Sequence, residues 1–253
     1  MEMESYQHGV PSWADLGTPD IGAATRFYTG LFGWDVQAGP PEAGGYSIAH
    51  LRGKTVVGLA PQMQPGPSFW TPYVNVDSAD AVATLASANG GAVHVAPFDV
   101  MDVGRMAILA DPVGAVFGAW QPRAHKGAQL IGEPGAMTWI ELNTTDVAGA
   151  VKFYGAVFGW TATTHAGGVP YTEFAAGGQS IAGMMPRPAE MPAEVPSHWL
   201  VYFAVTDADA TADQAKKGGG ALLAGPMDIE PGRFAVVADP GGAPFGIIAM
   251  RGH

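Results

Sequence analysis

The chain of 253 residues contains no cysteine, which excludes disulfides, thiolate metal sites and thiol nucleophiles while leaving the redox state of its compartment unread. Charge is scarce too: 14% of residues are charged and 47% hydrophobic, a balance that supports buried cores and excludes a disordered polyelectrolyte. Basic residues are the scarcer sign, 12 against 23 acidic ones, for a formal charge of −11. Attraction to phosphate backbones or anionic lipid is thereby disfavoured, so no nucleic acid or membrane partner is expected. No stretch reaches the ~18 uninterrupted apolar residues of a membrane span, and the N-terminus MEMESYQHGVPSW has no apolar run, so a cytoplasmic protein is expected. G-x-S-x-G elbows, P-loops and strand-to-helix G-x-G-x-x-G turns are also absent; Gly218-Gly219-Gly220 follows a helical pattern and reads as its end.

What is present is a repeat. WADLGTPDIGAATRFYTGLFGW (Trp13–Trp34) matches WIELNTTDVAGAVKFYGAVFGW (Trp139–Trp160), PSFWTPYVNV (Pro67–Val76) matches PSHWLVYFAV (Pro196–Val205), and GRMAILADPVGAVFG (Gly104–Gly118) matches GRFAVVADPGGAPFG (Gly232–Gly246). The Pro- and Gly-rich stretch QPRAHKGAQLIGEPGAM interrupts the pattern, so the expected division is 1–122, a linker at 123–137, and 138–253.

Periodicity predicts the same elements in each half. Residues Trp13 to Thr18 alternate as a strand. Asp20 then precedes Ile21, Ala24, Phe27, Tyr28 and Leu31, an apolar helical stripe with an Asx cap that Gly30 or Gly33 can end. Strands are expected near Trp34–Gln37, Tyr46–Leu51 and Thr55–Leu59. A second such block follows, with a strand at Trp70–Val76, a helix at Ser78–Asn89 and strands near Ala92–Ala96, Arg105–Ala110 and Ala115–Trp120. Helices near Val147–Val157 and Ala208–Lys217 extend the order to the second half, giving an α+β chain of βαβββ modules, two per half. Asp20 and Asp146 read as helix caps, Phe27, Tyr28, Phe153 and Tyr154 as core, and Asp111-Pro112 and Asp239-Pro240 as turns.

The twice-occurring D-x-x-x-A-x-x-F-Y-x-x-x-F-G-W and A-D-P-x-G-x-x-F-G resemble the first-module and last-strand signatures of the vicinal-oxygen-chelate (glyoxalase/bleomycin resistance protein/dioxygenase) superfamily. The layout is similar to tandem actinobacterial members, including mycobacterial antigens and proteins called hydroxylases. The resemblance implies that two modules per half curl a mixed sheet into an open cup, and that an active cup holds a divalent metal on His, Gln or Glu.

The ligand positions implied by that resemblance are the first strand of each module, seven residues before the helix-capping Asp position, and the last strand. Counted from Asp20, Asp77, Asp146 and, aligned with Asp77, Thr206, they fall here on Trp13, Trp70, Trp139 and Trp199, and in the last strands on Gly118 and Gly246. Indole has no basic lone pair and glycine no side chain, so neither binds a divalent ion. Thr55–Ala60 and Gln179–Met184 add only Gln179. His8 and His253 are terminal, His125 lies in the linker, and His50, His94, His165 and His198 lack H-x-H or H-E-x-x-H spacing; alternation turns His198 away from Trp199. No metal and no other cofactor is expected.

Tryptophan facing glycine makes each cup aromatic, with Trp13 and Trp70 in one and Trp139 and Trp199 in the other as candidate ligand-binding residues. Asp15 and Glu141 share the inward face with the first Trp of each half and are the candidate acids, Glu141 ahead of Asp15. Asn143 and Glu173, aligned with Gly17 and Ile48, make the second cup the more polar and complete the candidate set. The expected partner is a small molecule, in a monomer or homodimer. The leading reading is metal-free binding of a hydrophobic or aromatic molecule, by sequestration or in secondary metabolism. The alternatives are a lyase, isomerase or hydroxylase acting on a carbonyl or aromatic metabolite through Glu141, and a structural protein with filled cups.

Overall fold

A computed structural model describes residues 1–62, 65–165, 170–189, 191–192 and 194–251. The first half runs β1 (Pro11–Thr18), α1 (Ile21–Phe32), β2 (Asp35–Ala38), β3 (Ser47–Leu51), β4 (Lys54–Pro61), β5 (Phe69–Asn75), α2 (Ala79–Ala88), β6 (Ala92–Val100), β7 (Gly104–Ala110) and β8 (Val116–Pro122). The second repeats it: β9 (Met137–Thr144), α3 (Val147–Phe158), β10 (Thr161–His165), β11 (Tyr171–Ala176), β12 (Gln179–Pro186), β13 (His198–Ala204), α4 (Ala208–Lys217), β14 (Ala221–Ile229), β15 (Gly232–Ala238) and β16 (Pro244–Met250). Each half forms an open, mixed 8-stranded sheet, ordered β2-β3-β4-β1-β5-β8-β7-β6 and its counterpart β10-β11-β12-β9-β13-β16-β15-β14. Within each sheet the two modules meet at an antiparallel pair, β1 with β5 and β9 with β13. No helix among the described residues is long and apolar enough to cross a membrane.

The helix boundaries follow from local chemistry. Asp20 and Asp146 accept the amides of Ala23 (2.8 Å) and Gly149 (2.9 Å), filling orphan donors of the first turn. Gly33 and Gly159, at φ 72° and 73°, end α1 and α3 in the left-handed conformation that costs glycine nothing. Strand β6 runs on to Val100, past the Ala96 end expected from sequence, because its pairing shifts register between Val95 and Phe98 and then resumes.

The two sheets share one core. Trp34, Trp70 and Phe32 of the first half pack on Phe203 of the second at ring-centroid distances of 5.5, 5.2 and 5.1 Å, and Phe117 packs reciprocally on Phe153, Tyr154 and Phe158. Hydrogen bonds cross at the same places. Trp70 Nε1–H donates to Tyr28 Oη (3.0 Å), whose hydroxyl donates to Asp239 of the other half (3.1 Å). Trp199, Tyr154 and Asp111 repeat that relay in the opposite direction at 2.9 and 3.2 Å. Each of these Asp residues also accepts backbone amides of its own turn, as the sequence predicts. Finally, Trp34 donates to the carbonyl of Gly135, in the segment that leads into β9, and Trp160 to that of Gly9 in the first half, both at 2.7 Å. The repeated signature residues therefore join the halves, and the faces of the sheets turned away from this core are left as the cups.

Candidate ligand site

In the first cup, alternation along β1 turns Trp13, Asp15 and Gly17 away from the shared core, and the register sets Asp15 between Gly58 of β4 and Thr71 of β5. Tyr73 stands opposite Trp13 and lies across Gly118, where a Cβ would come within 2.0 Å of its ring; Tyr46 occupies the space over Gly58 in the same way, at 1.8 Å. Trp13 Nε1–H donates to Tyr46 Oη (2.9 Å), and Tyr73 Oη donates to Asp15 Oδ2 (3.0 Å). The second cup repeats the group. Trp139 donates to Tyr171 Oη (3.0 Å), Tyr202 lies over Gly246 and donates to Glu141 Oε1 (3.1 Å), and Tyr171 and Asn143 also hydrogen-bond Glu141.

Burial dominates the electrostatics. It pushes the Asp15 carboxyl up to about 7, against the lowering pull of the Tyr73 hydrogen bond. Glu141, 8% exposed, is likewise raised above the usual carboxylate range by burial, which outweighs its bonds from Tyr202, Tyr171 and Asn143. Burial and the neighbouring carboxyls raise Tyr46, Tyr73 and Tyr202 further above ordinary phenol values, so all of them stay neutral hydroxyls. Each cup therefore presents one reluctant carboxyl, two phenols and an indole.

The cups differ in what covers them. Residues 123–131 fold back over the first: Ala128 and Gln129 amides donate to the carbonyls of Ser12 and Thr55 (both 2.8 Å), and Tyr6 Oη donates to Ala128 O (2.6 Å). The His125 ring meets Trp13 edge-on at 4.4 Å and lies 5.6 Å from Trp120, and burial lowers its pKa to about 4. Trp13, Tyr73, Trp120 and Ala128 form a closed apolar cluster with Ile48 and Ile131 against it. In the second cup Ile248 stands where the first has Trp120, Glu173 where it has Ile48, and Asn143 where it has Gly17. Trp139 is only half-buried and makes no ring contact among the described residues. Glu173 lies at the rim, accepting from Ser180 Oγ (3.1 Å) with His165 Nε2 at 3.7 Å. Surface hollows of about 360 and 510 Å³ lie elsewhere, the one beside Tyr6, Asn75 and Gln121 and the other beside Phe27, Leu31 and Gln214.

This architecture has known counterparts. The Glyoxalase/Bleomycin resistance protein/Dioxygenase superfamily model matches residues 11–118 and 136–247. The chain belongs to that superfamily. It is 45% identical over 253 residues to the putative glyoxylase CFP32 of Mycobacterium tuberculosis (strain CDC 1551 / Oshkosh), covering 96% of this chain and 95% of that protein. It is 38% identical over 266 residues to the anthracycline biosynthesis protein DnrV of Streptomyces peucetius, covering 98% and 96%. Among solved structures, the Mn(II)-bound glyoxalase from Novosphingobium aromaticivorans superimposes with a TM-score of 0.65 at 17% identity, covering 97% of this chain and 84% of that one, a likeness of fold alone.

Against the expectations from sequence, Trp13, Asp15, Trp139, Glu141, Asn143 and Glu173 do share the cup faces. Trp70 and Trp199 do not: they pair with Leu16 and Leu142, point into the shared core and hold Tyr28 and Tyr154. The physical reason is a one-residue error in the cap. The helix caps are Ser78 and Asp207, and seven residues before them stand Thr71 and Leu200, which face Asp15 and Glu141. The same parity puts His198, expected on the opposite face, into the second cup. His253 lies outside the described residues. The four tyrosines were missed altogether, although each pairs with a glycine at matching positions of both halves: Tyr46 with Gly58, Tyr171 with Gly183, Tyr73 with Gly118, Tyr202 with Gly246.

Superfamily membership implies a divalent metal, and the residues do not fit one. With the corrected parity, the ligand positions that the superfamily resemblance implies on the four central strands are Trp13, Gly58, Thr71 and Gly118 in one cup and Trp139, Gly183, Leu200 and Gly246 in the other. No group of three His, Cys, Asp or Glu suited to an ion occurs among the described residues. A single carboxyl that resists ionisation, ringed by neutral phenols, is a poor home for a cation.

Proposed function

We propose that the second cup binds a small hydrophobic or aromatic molecule without a metal, and that Glu141, whose carboxyl burial holds above the usual carboxylate range, is its polar anchor. The observation that carries this reading is the asymmetry of the duplication. In one Trp-Tyr-carboxyl-Tyr group residues 123–131 cover and bury the indole of Trp13, while in its counterpart Trp139 is left half-buried above a Glu141 that is 8% exposed. Trp139 and Tyr202 supply aromatic faces, and the neutral carboxyl can donate to a ligand oxygen where a carboxylate could only accept. The first cup, on this reading, is structural. A second reading, proton transfer on a carbonyl or aromatic metabolite by Glu141, is favoured by the same raised carboxyl, because burial makes the acid form easier to keep and the carboxylate a stronger base. The relatives named as a putative glyoxylase and an anthracycline biosynthesis protein are consistent with either.

Calorimetric titration with a panel of aryl ketones and quinones tests the proposal. The expected result is one site per chain, with binding weakened by Trp139→Ala, unaffected by Asp15→Asn and by chelators, and lost at high pH in wild type but not in Glu141→Gln. Ligand seated in the first cup of a co-crystal, or one equivalent of tightly held Zn, Ni, Mn or Fe in either cup, would refute it.

A further inference from the structure

The polar patch of the second cup has an outermost member that the sequence had turned the wrong way. His198 opens β13 directly opposite Asn143, one step along from Leu200, which stands opposite Glu141. Its side chain therefore shares the cup face with Trp139, Glu141, Asn143 and Tyr202. The first half has Phe69 at this place, packed over Gly17, where a Cβ would come within 2.7 Å of the Phe69 ring. The contrast is complete at three neighbouring positions: Gly17, Ile48 and Phe69 in the covered cup are Asn143, Glu173 and His198 in the open one.

The imidazole is set in one orientation. Nδ1 lies 2.9 Å from the carbonyl oxygen of Pro196, and a carbonyl can only accept, so in the neutral ring Nδ1 carries the hydrogen. Nε2 is left with its lone pair and has no partner among the described residues. By the register His198 and Glu141 are diagonal neighbours on this face, so their polar ends stand at two separate points of it. The cup thus offers an acceptor, Nε2, at one point and the Glu141 carboxyl at the other. A molecule with two oxygens along one edge reaches both. Tyr171 and Tyr202 flank Glu141 on this face, and Glu173 and His165 stand at its rim.

We infer that His198 is a specificity-determining residue of the second cup: its Nε2 accepts a hydroxyl of the ligand while Glu141 donates to a carbonyl, so the preferred ligands are aromatic hydroxy-carbonyl compounds with both oxygens on one edge. The inference rests on the second cup being the ligand site, and its test separates the two. Binding of m-hydroxyacetophenone, its methyl ether and acetophenone is measured by NMR titration for wild type, His198→Phe, which copies Phe69, and His198→Gln, whose amide oxygen still accepts. Wild type should prefer the hydroxy ketone by about 10-fold over both others, the worth of one good hydrogen bond. His198→Phe should bind all three within about 2-fold of one another, and His198→Gln should keep part of the preference. Thermal unfolding of each variant checks that the fold is intact. Binding of the three ketones without preference by wild type, or a preference that survives His198→Phe, overturns the role of His198 alone. Failure of wild type to bind any of them, or binding that Trp139→Ala does not weaken, overturns the reading of the cup and this inference with it.

Discussion

Replacing Asp15 by Asn should make the protein more stable, and increasingly so as the pH rises. The reasoning starts from a carboxyl that burial holds near 7 in the folded chain against an ordinary value of 3.8. Between those values the folded state keeps a proton that the unfolded state has released, so stability falls as pH rises through the window, and it is fully lowered only above the folded value. The difference of about three pH units corresponds to up to ~4 kcal/mol at 1.36 kcal/mol per unit, a large part of the ~5–15 kcal/mol that holds an ordinary domain together. Asn keeps the size and leaves an oxygen to accept from Tyr73, so at about pH 4 the two proteins should agree within ~1 kcal/mol. At about pH 8 the variant should exceed wild type by up to ~4 kcal/mol. Urea unfolding followed by circular dichroism at several pH values measures the divergence directly. Parallel stability profiles, or a variant weaker than wild type at the alkaline end, would show that Asp15 is ionised in the folded protein and that the covered cup tolerates a charge.

Tyr28→Phe should cost about 1–3 kcal/mol in thermal unfolding, since it leaves the buried Trp70 indole without its acceptor and Asp239 without a donor, and Tyr154→Phe should cost a similar amount. Gly246→Ala places a methyl 2.1 Å from the Tyr202 ring, so it should destabilise by about 1–3 kcal/mol and, by moving the hydroxyl that holds Glu141, weaken ligand binding in calorimetry.

The parts of this fold that were legible in the sequence are those where one residue dictates one local conformation. Asp20 and Asp146 cap, Gly33 and Gly159 terminate, and the 3.6-residue stripe between them can only be a helix with one buried face. Strand faces were legible only as far as their register marker was sound. Taking Asp77 and Thr206 as the reference, in place of the capping Ser78 and Asp207, shifted the count by one and exchanged every residue of β5 and β13 between cup and core, because strand side chains alternate. Trp70, Trp199 and His198 were misplaced for that single reason. The covering of the first cup was not legible at all: residues 123–131 are rich in polar and small residues, and composition says that such a segment is a connection without saying what it lies against.

On the core side of each sheet the halves differ only in apolar size, as in Ala14 against Ile140, Ala49 against Phe174 and Val74 against Phe203, whereas polar differences gather on the cup side, and the packing explains why. Trp34, Tyr28 and Phe32 touch residues of the second half, and Trp160, Tyr154 and Phe158 touch the first, so a change at any of them would break contacts in both halves at once. The cup faces have no such reciprocal partner. Asp15 answers only to Tyr73 and its neighbours, and Glu141 only to Tyr202, Tyr171 and Asn143. One cup can therefore carry Ile48 and Trp120 against a strap, with an exposed Phe69 over Gly17, while the other acquires Glu173, His198 and Ile248, without a change in the contacts that join the halves. A scaffold locked from one side and free on the other lets the two copies in a single chain diverge on their cup faces while the shared core stays joined.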